Sequence, residues 1–232
     1  MADLLEISEL SYVPFFQGIY DSKEERFSGY EVLIRLKLGN TYLSPKHFID
    51  KLENSENISK VFKDIILSIS NNTHHFAQNC WFSINITPEQ LESGKVFDVL
   101  QQLNFPLSGN LHFELTERTP FINWDTAKKN IDKLISHGYD FKIDDFGCGY
   151  NGFLNILKLN IKNVKIDRTF IQTIGGSDEI ILNSILCACQ TGELEVIAEG
   201  IEDQHQYITL KEKGVRYFQG HLFSKPEPIY EK

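Results

Sequence analysis

The chain has 232 residues, of which 41% are hydrophobic, and it carries a formal net charge of -9. This length suits one large α/β domain, and the acidic charge argues against a long nucleic acid as partner, because that binding needs a basic surface. No apolar run approaches the ~20 residues that span a bilayer, and the N-terminus lacks a basic segment followed by an apolar one. We therefore expect a cytoplasmic protein without a membrane segment.

Short apolar segments alternate with longer amphipathic ones along the chain. The segments typical of strands are residues 10–16, 30–36, 81–86, 111–115, 141–143, 163–166, 195–198 and 215–218. Helices are predicted to begin at Ser44-Pro45 and Thr87-Pro88, and to cover residues 125–137, 178–190 and 203–213. This alternation indicates a mostly parallel sheet, and about eight such units predict a closed barrel that forms a single domain over residues 1–232.

Polar side chains stand at or near the carboxyl ends of the predicted strands. They are Glu31, Asn85, Glu114, Asp144, Asp145, Lys165, Glu199 and Gln219. In a barrel, these strand ends converge on the face where active sites are built. Each residue taken singly is equally well explained as a helix cap or a solvated group. Lys165 and Gln219 are weak caps, however, which favours one shared site.

Oxygen ligands dominate this set. Glu31, Asn85, Glu114, Asp144 and Asp145 offer the oxygen atoms that Mg²⁺ and Mn²⁺ prefer. Burying several carboxylates together is costly because they repel one another, and divalent ions offset that cost. An all-oxygen metal site beside a lysine suits the hydrolysis of a phosphate ester, in which the ions polarise the phosphoryl oxygens and activate water.

Seven short motifs follow one another along nearly the whole chain. They read GYEVLIR (29–35), SINITP (83–88), FELTER (113–118), IDDFGCGY (143–150), VKIDRTF (164–170), AEGIE (198–202), and finally QG (219–220) with FSKP (223–226). Any one of them is a weak signal, but the ordered set is specific. It resembles the EAL domain family of cyclic di-GMP phosphodiesterases, with Val32 where alanine is usual.

The resemblance implies a fold and an activity. The expected fold is a modified TIM (β/α)8 barrel, in the α/β class, whose first strand runs antiparallel to the others. The expected reaction opens one phosphodiester bond of cyclic di-GMP to give linear pGpG. The reaction is expected to need two bound ions of Mg²⁺ or Mn²⁺. Ca²⁺ is expected to inhibit the hydrolysis. The family resemblance also implies a homodimer.

The resemblance further assigns roles to single residues. Glu31, Asn85, Glu114 and Asp144 are implied to be metal ligands, with Asp145 on the second ion. Lys165 is implied to hold the attacking water, and Glu199 is either a ligand of the second metal or a general base. Lys165, Glu199 and Glu31 are therefore the predicted catalytic residues.

Other motif positions are implied to act around this centre. Arg35, Leu33 and Gln219 would contact the substrate, with the Arg35 guanidinium on a phosphate. Asp167 and Glu202 would support the metal ligands from behind, and Glu117 would steady the loop of residues 145–150.

Two departures from the family pattern bear on activity. Cys148 stands where threonine is usual in the family, and Val13 stands where the family has a glutamine that helps to hold the ligand. Two alternatives to an active enzyme stay open: a degenerate domain that binds cyclic di-GMP without cutting it, and a regulator that acts through protein contacts. Degenerate members are expected to lose metal ligands. No expected ligand position is lost here, which favours the enzyme.

Overall fold

The structure, a computed structural model, describes residues 11–53, 58–76, 78–103, 108–115, 120–148 and 152–229. Its strands are β1 (Ser11–Asp21), β2 (Arg26–Leu38), β3 (Thr41–Leu43), β4 (Trp81–Ile86), β5 (Leu111–Leu115), β6 (Asp140–Phe146), β7 (Asn163–Ile166), β8 (Glu195–Ala198), β9 (Tyr217–Gln219) and β10 (Glu227–Pro228).

The helices lie mainly between these strands. They are α1 (Ile49–Glu53), α2 (Ile58–Asn72), α3 (Pro88–Glu92), α4 (Lys95–Leu103), α5 (Trp124–Ser136), α6 (Gly152–Leu159), α7 (Arg168–Ile171), α8 (Glu179–Thr191) and α9 (Gln204–Glu212). Short 3-10 helices cover Pro45–His47, Thr73–His75 and Ser108–Asn110. Among the residues described, no helix combines the length and apolar character needed to cross a membrane.

Eight strands close into a barrel. Strand β2 is followed in the sheet by β4, β5, β6, β7, β8 and β9, all parallel, and β1 joins β9 back to β2. Strand β1 is antiparallel to both of its barrel neighbours, which confirms the predicted modified barrel. Strands β3 and β10 extend the sheet beside β2 and β1.

Several elements differ from the sequence prediction. Strand β1 continues to Asp21 instead of ending at Phe16, and β6 continues to Phe146, so that Asp144 and Asp145 lie within it. Helix α2 was missed, although Val61, Phe62, Ile65, Ile66 and Ile69 have the spacing of a buried helical face. Ser44 begins a 3-10 helix and makes no side-chain cap.

Helices cover the outside of the barrel and so fix the positions of the strand ends. The main apolar core lies between the strands and helices α2, α4 and α5, with Phe113, Phe141 and Ile143 fully buried. A capping box begins α3, because Thr87 accepts from the Gln90 backbone amide while the Gln90 side chain accepts from that of Thr87. The cap residue Thr87 directly follows Ile86, the last residue of β4, at the rim of the barrel.

Candidate active site

A cavity of about 360 Å³ opens at the carboxyl ends of the barrel strands. Its polar wall is formed by Gln17, Glu31, Asn85, Asp144, Asp145, Lys165, Glu199 and Gln219. Its apolar wall includes Leu33, Ile34, Ile49, Ile58 and Ile86. The structure thus brings almost all of the polar strand-end residues together at one cavity, as their positions in the sequence predicted.

The Lys165 ammonium lies at the centre of the polar wall. Its Nζ is 2.6 Å from Glu199 Oε1, 2.7 Å from Glu114 Oε2, 3.1 Å from Asp144 Oδ1 and 3.2 Å from Glu31 Oε2. The Lys165 side chain is 1% exposed and that of Glu114 is completely buried. Ion pairs removed from water interact strongly but are costly to desolvate, so each group depends on its partners.

The Glu31 carboxylate is held from three sides. Gln219 Nε2 donates to Oε2 at 2.6 Å, Asn85 Nδ2 donates to Oε1 at 3.1 Å, and Lys165 donates to Oε2. Burial acts to raise the pKa of Glu31, but the Lys165 charge and these hydrogen bonds hold the pKa below its usual value. Glu31 is therefore fixed in position as a carboxylate.

Burial acts differently on the other carboxylates. It raises the pKa of Glu114 to about 7, opposed by Lys165 and assisted by the charges of Glu31 and Asp144. Burial also raises the pKa of Glu199 well above its ordinary value. Desolvation acts to lower the pKa of Lys165, but the surrounding carboxylates raise it far more, so the ammonium stays charged. One ammonium does not balance this much acidic charge.

A β-bulge aims two consecutive aspartates into the cavity. Between β6 and β7, Ile143 pairs with Val164 and Phe146 with Ile166, so β6 contains one extra residue there. Asp145 takes a left-handed backbone conformation with φ 51°. Neighbouring side chains normally point to opposite faces of a strand, and this bulge allows both Asp144 and Asp145 to line the cavity.

The donor set fits a divalent cation. One carboxylate oxygen from each of Asp144, Asp145 and Glu199 lies within 4.8 Å of the others. Two buried carboxylate oxygens, Glu114 Oε1 and Asp144 Oδ1, accept no hydrogen bond, although the second is close to the ammonium. Clustered hard oxygens with excess negative charge are the ligands that Mg²⁺ and Mn²⁺ favour.

Among the predicted substrate-contacting residues, Leu33 and Gln219 line the cavity. Arg35 does not belong to the lining residues. Its guanidinium lies over the Phe15 ring, 5.5 Å from the centroid, and Nη1 donates to the Ile34 carbonyl at 2.9 Å. The role of Arg35 on a phosphate therefore stays a prediction.

Sequence reasoning missed Gln17. Gln17 is buried and lines the cavity, where its Oε1 accepts from Gln219 at 3.1 Å and its Nε2 donates to the Ser224 carbonyl at 3.0 Å. Val13 lies four residues earlier on β1, opposite Arg35, and does not line the cavity. Gln17 thus lies opposite Glu31 on β1, and the reading of Val13 as the replacement of the family glutamine stays a prediction.

The predicted supporting residues lie around the site with different contacts. Asp167 caps α7, accepting from the backbone and hydroxyl of Thr169, and the Cys148 thiol contacts the same carboxylate at 3.6 Å. Glu202 is exposed, and its backbone amide donates to the Gln206 side chain. Glu117 lies outside the described residues, and the supporting roles of these three acidic groups stay predictions.

A second buried cation lies lower in the barrel. Lys142 is on β6 in register with Glu114, and its ammonium contacts His112 Nδ1 and lies 3.9 Å from the centroid of the Trp81 ring. Burial lowers the pKa of Lys142 to about 8 and that of His112 to about 2. The Trp81 and His112 rings stack with their centroids 4.9 Å apart.

Comparison with known proteins agrees with this geometry. The sequence profile of the EAL domain matches residues 4–226. Cyclic di-GMP phosphodiesterase PdeL of Escherichia coli (strain K12) is 30% identical over 240 aligned residues, which include 97% of this chain and 65% of the relative. The chain thus spans a little under two-thirds of that protein's length.

Solved structures share the fold. The EAL enzyme Bd1971, in a form bound to cAMP and cyclic di-GMP, superposes with a TM-score of 0.80 at 30% identity, covering 94% of this chain and 62% of that one. Klebsiella pneumoniae BlrP1, in a complex with calcium and cyclic di-GMP, has a TM-score of 0.77 at 25% identity, covering 93% and 56% of the two chains.

We expect removal of the central ammonium to destabilise the protein. In Lys165→Met, the surrounding carboxylates lose their shared partner, and breaking a buried pair costs about 3–5 kcal/mol. The melting temperature in excess chelator should therefore fall by roughly 6–20 °C. Added Mn²⁺ should raise it more in the variant than in the wild type, because an ion supplies the missing positive charge.

The matched control is Lys128→Met, which removes an exposed lysine that pairs with Asp132 at 3.0 Å on α5. Exposed pairs of this kind contribute little, and its melting temperature should stay close to that of the wild type. If the two variants melted together in chelator, the Lys165 ammonium would not stabilise the cluster as described.

Proposed function

Because the chain belongs to the EAL domain family, we propose that it is a phosphodiesterase that hydrolyses cyclic di-GMP to linear pGpG with the help of Mg²⁺ or Mn²⁺. The observation that carries this proposal is the group of carboxylates around Lys165, which faces an open cavity at the barrel end. Relatives named for the same activity support the choice of substrate.

The cavity has the two kinds of wall that a cyclic dinucleotide needs. Its polar side holds carboxylates, amides and an ammonium, which suit the reacting phosphodiester and its ions. Its apolar side is lined by Leu33, Ile34, Ile49 and Ile58, which suit the faces of bases and riboses. The cavity volume of about 360 Å³ is within the range of sites that bind small ligands.

In this proposal the metal ligands are Glu31, Asn85, Glu114, Asp144, Asp145 and Glu199. When bound, two divalent ions would supply Lewis-acid activation of the phosphodiester and of the attacking water. The chain's own contribution is to hold these oxygens in place. The Glu31 carboxylate is positioned by Gln219 and Asn85, and the two aspartates are positioned by the bulge in β6.

Lys165 orients the attacking water in this proposal. Its ammonium has three protons to donate. Its contacts with Glu114 and Glu199 hold Nζ in place at the polar wall of the cavity. A fixed cation there also stabilises the charge that develops on the phosphoryl oxygens. Glu199 is 16% exposed and touches Lys165, which suits a metal ligand as well as a general base, so both roles remain within the proposal.

The proposal extends to the setting of the enzyme. We infer a cytoplasmic homodimer whose residues 1–232 form a single EAL domain. The complex of BlrP1 with calcium and cyclic di-GMP supports a role for divalent ions in this fold. We expect Ca²⁺ to inhibit because it accepts looser coordination than Mg²⁺.

Incubation of the purified protein with cyclic di-GMP and Mg²⁺ or Mn²⁺ tests the proposal. We expect linear pGpG as the product, separated by chromatography, and no product in excess chelator. Glu31→Gln should lower turnover at least about 100-fold, because it weakens a metal ligand at the reacting centre. The control Glu89→Gln changes an exposed residue of α3 and should leave turnover unchanged.

Full activity in chelator would exclude the metal requirement. Binding of cyclic di-GMP without any product would indicate the receptor alternative, and absence of both binding and product would favour a regulator that acts through protein contacts.

Gln17 supplies a further prediction. In this proposal Gln17, which lines the cavity, makes one polar contact to the ligand. Gln17→Leu removes that contact and the hydrogen bond to Gln219, and a neutral hydrogen bond is worth about 0.5–1.5 kcal/mol. The KM for cyclic di-GMP should rise roughly 2- to 12-fold. Val13→Leu, four residues earlier on the same strand, is the matched control. A higher KM in the Val13 variant, with an unchanged KM in the Gln17 variant, would contradict the proposed role of Gln17.

A further inference from the structure

The barrel interior encloses a second ammonium close to the carboxylates, that of Lys142. Lys142 lies on β6 two residues before Asp144, and the flanking Phe141 and Ile143 pack in the main core between strands and helices. Because side chains alternate along a strand, Lys142 and Asp144 share the inner face of the barrel. Lys142 is 3% exposed. Its charge is therefore enclosed with the proposed metal ligands and shielded from water.

The Lys142 ammonium contacts aromatic side chains. Its Nζ contacts His112 Nδ1 and lies 3.9 Å from the centroid of the Trp81 ring. The imidazole is neutral, because burial and the neighbouring charge of Lys142 lower the pKa of His112 to about 2. The face of an indole ring attracts a cation but has no formal charge. These contacts hold the ammonium without cancelling its unit charge, so its field extends to the carboxylates.

Glu114 is the carboxylate on which this charge acts most directly. Glu114 is the register partner of Lys142 on β5 and is completely buried. Burial raises the pKa of Glu114, and the charges of Lys165 and Lys142 oppose that rise. Burial likewise lowers the pKa of Lys142, and Glu114 is foremost among the charges that oppose this. The second ammonium therefore acts on the same carboxylates as Lys165.

We propose that Lys142 is a permanent counter-charge for these carboxylates that weakens their binding of divalent ions, an inference that rests on the metal site of the proposed function. The rise from Lys142 to Asp144 is about 7 Å at ~3.4 Å per residue. At such a separation, and with an effective dielectric constant of about 20, repulsion between a unit charge and a divalent ion lowers affinity at least about 10-fold. Occupancy of the site then depends on the free-ion concentration over a range that Lys142 shifts upward.

Calorimetric titration of the metal-free protein with Mn²⁺ at neutral pH tests this role in three variants. Lys142→Met fills similar space without charge. Lys142→Gln also lacks the charge but can still donate to His112, and Lys142→Arg keeps the charge. The matched control is Lys133→Met, which removes an exposed lysine of α5 that also lies over an aromatic ring, 3.5 Å from the Phe97 centroid.

We expect both neutral variants to bind Mn²⁺ at least about 10-fold more tightly than the wild type. Lys142→Arg and the Lys133 control should bind it with the wild-type Kd. Loss of the Lys142 charge also favours a proton on Glu114, but a proton carries one charge and the ion two, so the net effect is tighter metal binding. A purely structural role of Lys142 predicts the opposite sign, because a loosened barrel holds the ligands less well.

Every variant can be measured, because those unstable without metal can be purified with Mn²⁺ and their Kd determined by competition with a chelator. Unchanged or weaker Mn²⁺ binding in either neutral variant would overturn the role of Lys142. Failure of both neutral variants to fold in the presence of Mn²⁺ would also overturn it, since bound ions replace the lost charge.

The titration does not require turnover. Tighter binding in the neutral variants, with no linear product from the wild type, would refute the proposed hydrolysis and leave the role of Lys142 standing. A wild-type protein that binds no Mn²⁺ would refute the proposed metal site and this inference together.

Discussion

The pairing of one buried ammonium with several carboxylates is the interaction on which the site depends. Lys165 Nζ lies within 3.2 Å of carboxylate oxygens from Glu31, Glu114, Asp144 and Glu199, which come from four different parts of the barrel. Since these strands meet at one end, the lysine joins strands that are far apart in sequence. The same arrangement leaves acidic charge in excess, and such an excess suits the binding of divalent ions.

The barrel makes this concentration of charge possible. Parallel strands bring their carboxyl ends to one rim, and the packed core of Phe113, Phe141 and Ile143 keeps them there. The bulge in β6 adds a second aspartate to the wall. Above the rim, the antiparallel strands β1, β2 and β3 carry Phe15, Arg35 and Tyr42.

The sequence was sufficient to predict the barrel and most of the wall, because polar residues at strand ends are visible as a pattern. The sequence was not sufficient to predict contacts that depend on the pairing register between neighbouring strands. Gln17 was missed because β1 was predicted to end at Phe16, whereas pairing with β2 extends it to Asp21. Arg35 was expected at the substrate, and its contact with Phe15 depends on the pairing across β1 and β2. The bulge at Asp145 likewise requires knowledge of where β6 meets β7.

Diffraction from crystals grown with MnCl₂, measured for the anomalous signal of manganese, tests the central claim most directly. The account predicts anomalous density among the carboxylates of Asp144, Asp145 and Glu199, at ligand distance from their oxygens. Manganese bound elsewhere, with no density in this cavity, would contradict the claim that the carboxylates around Lys165 form a divalent metal site.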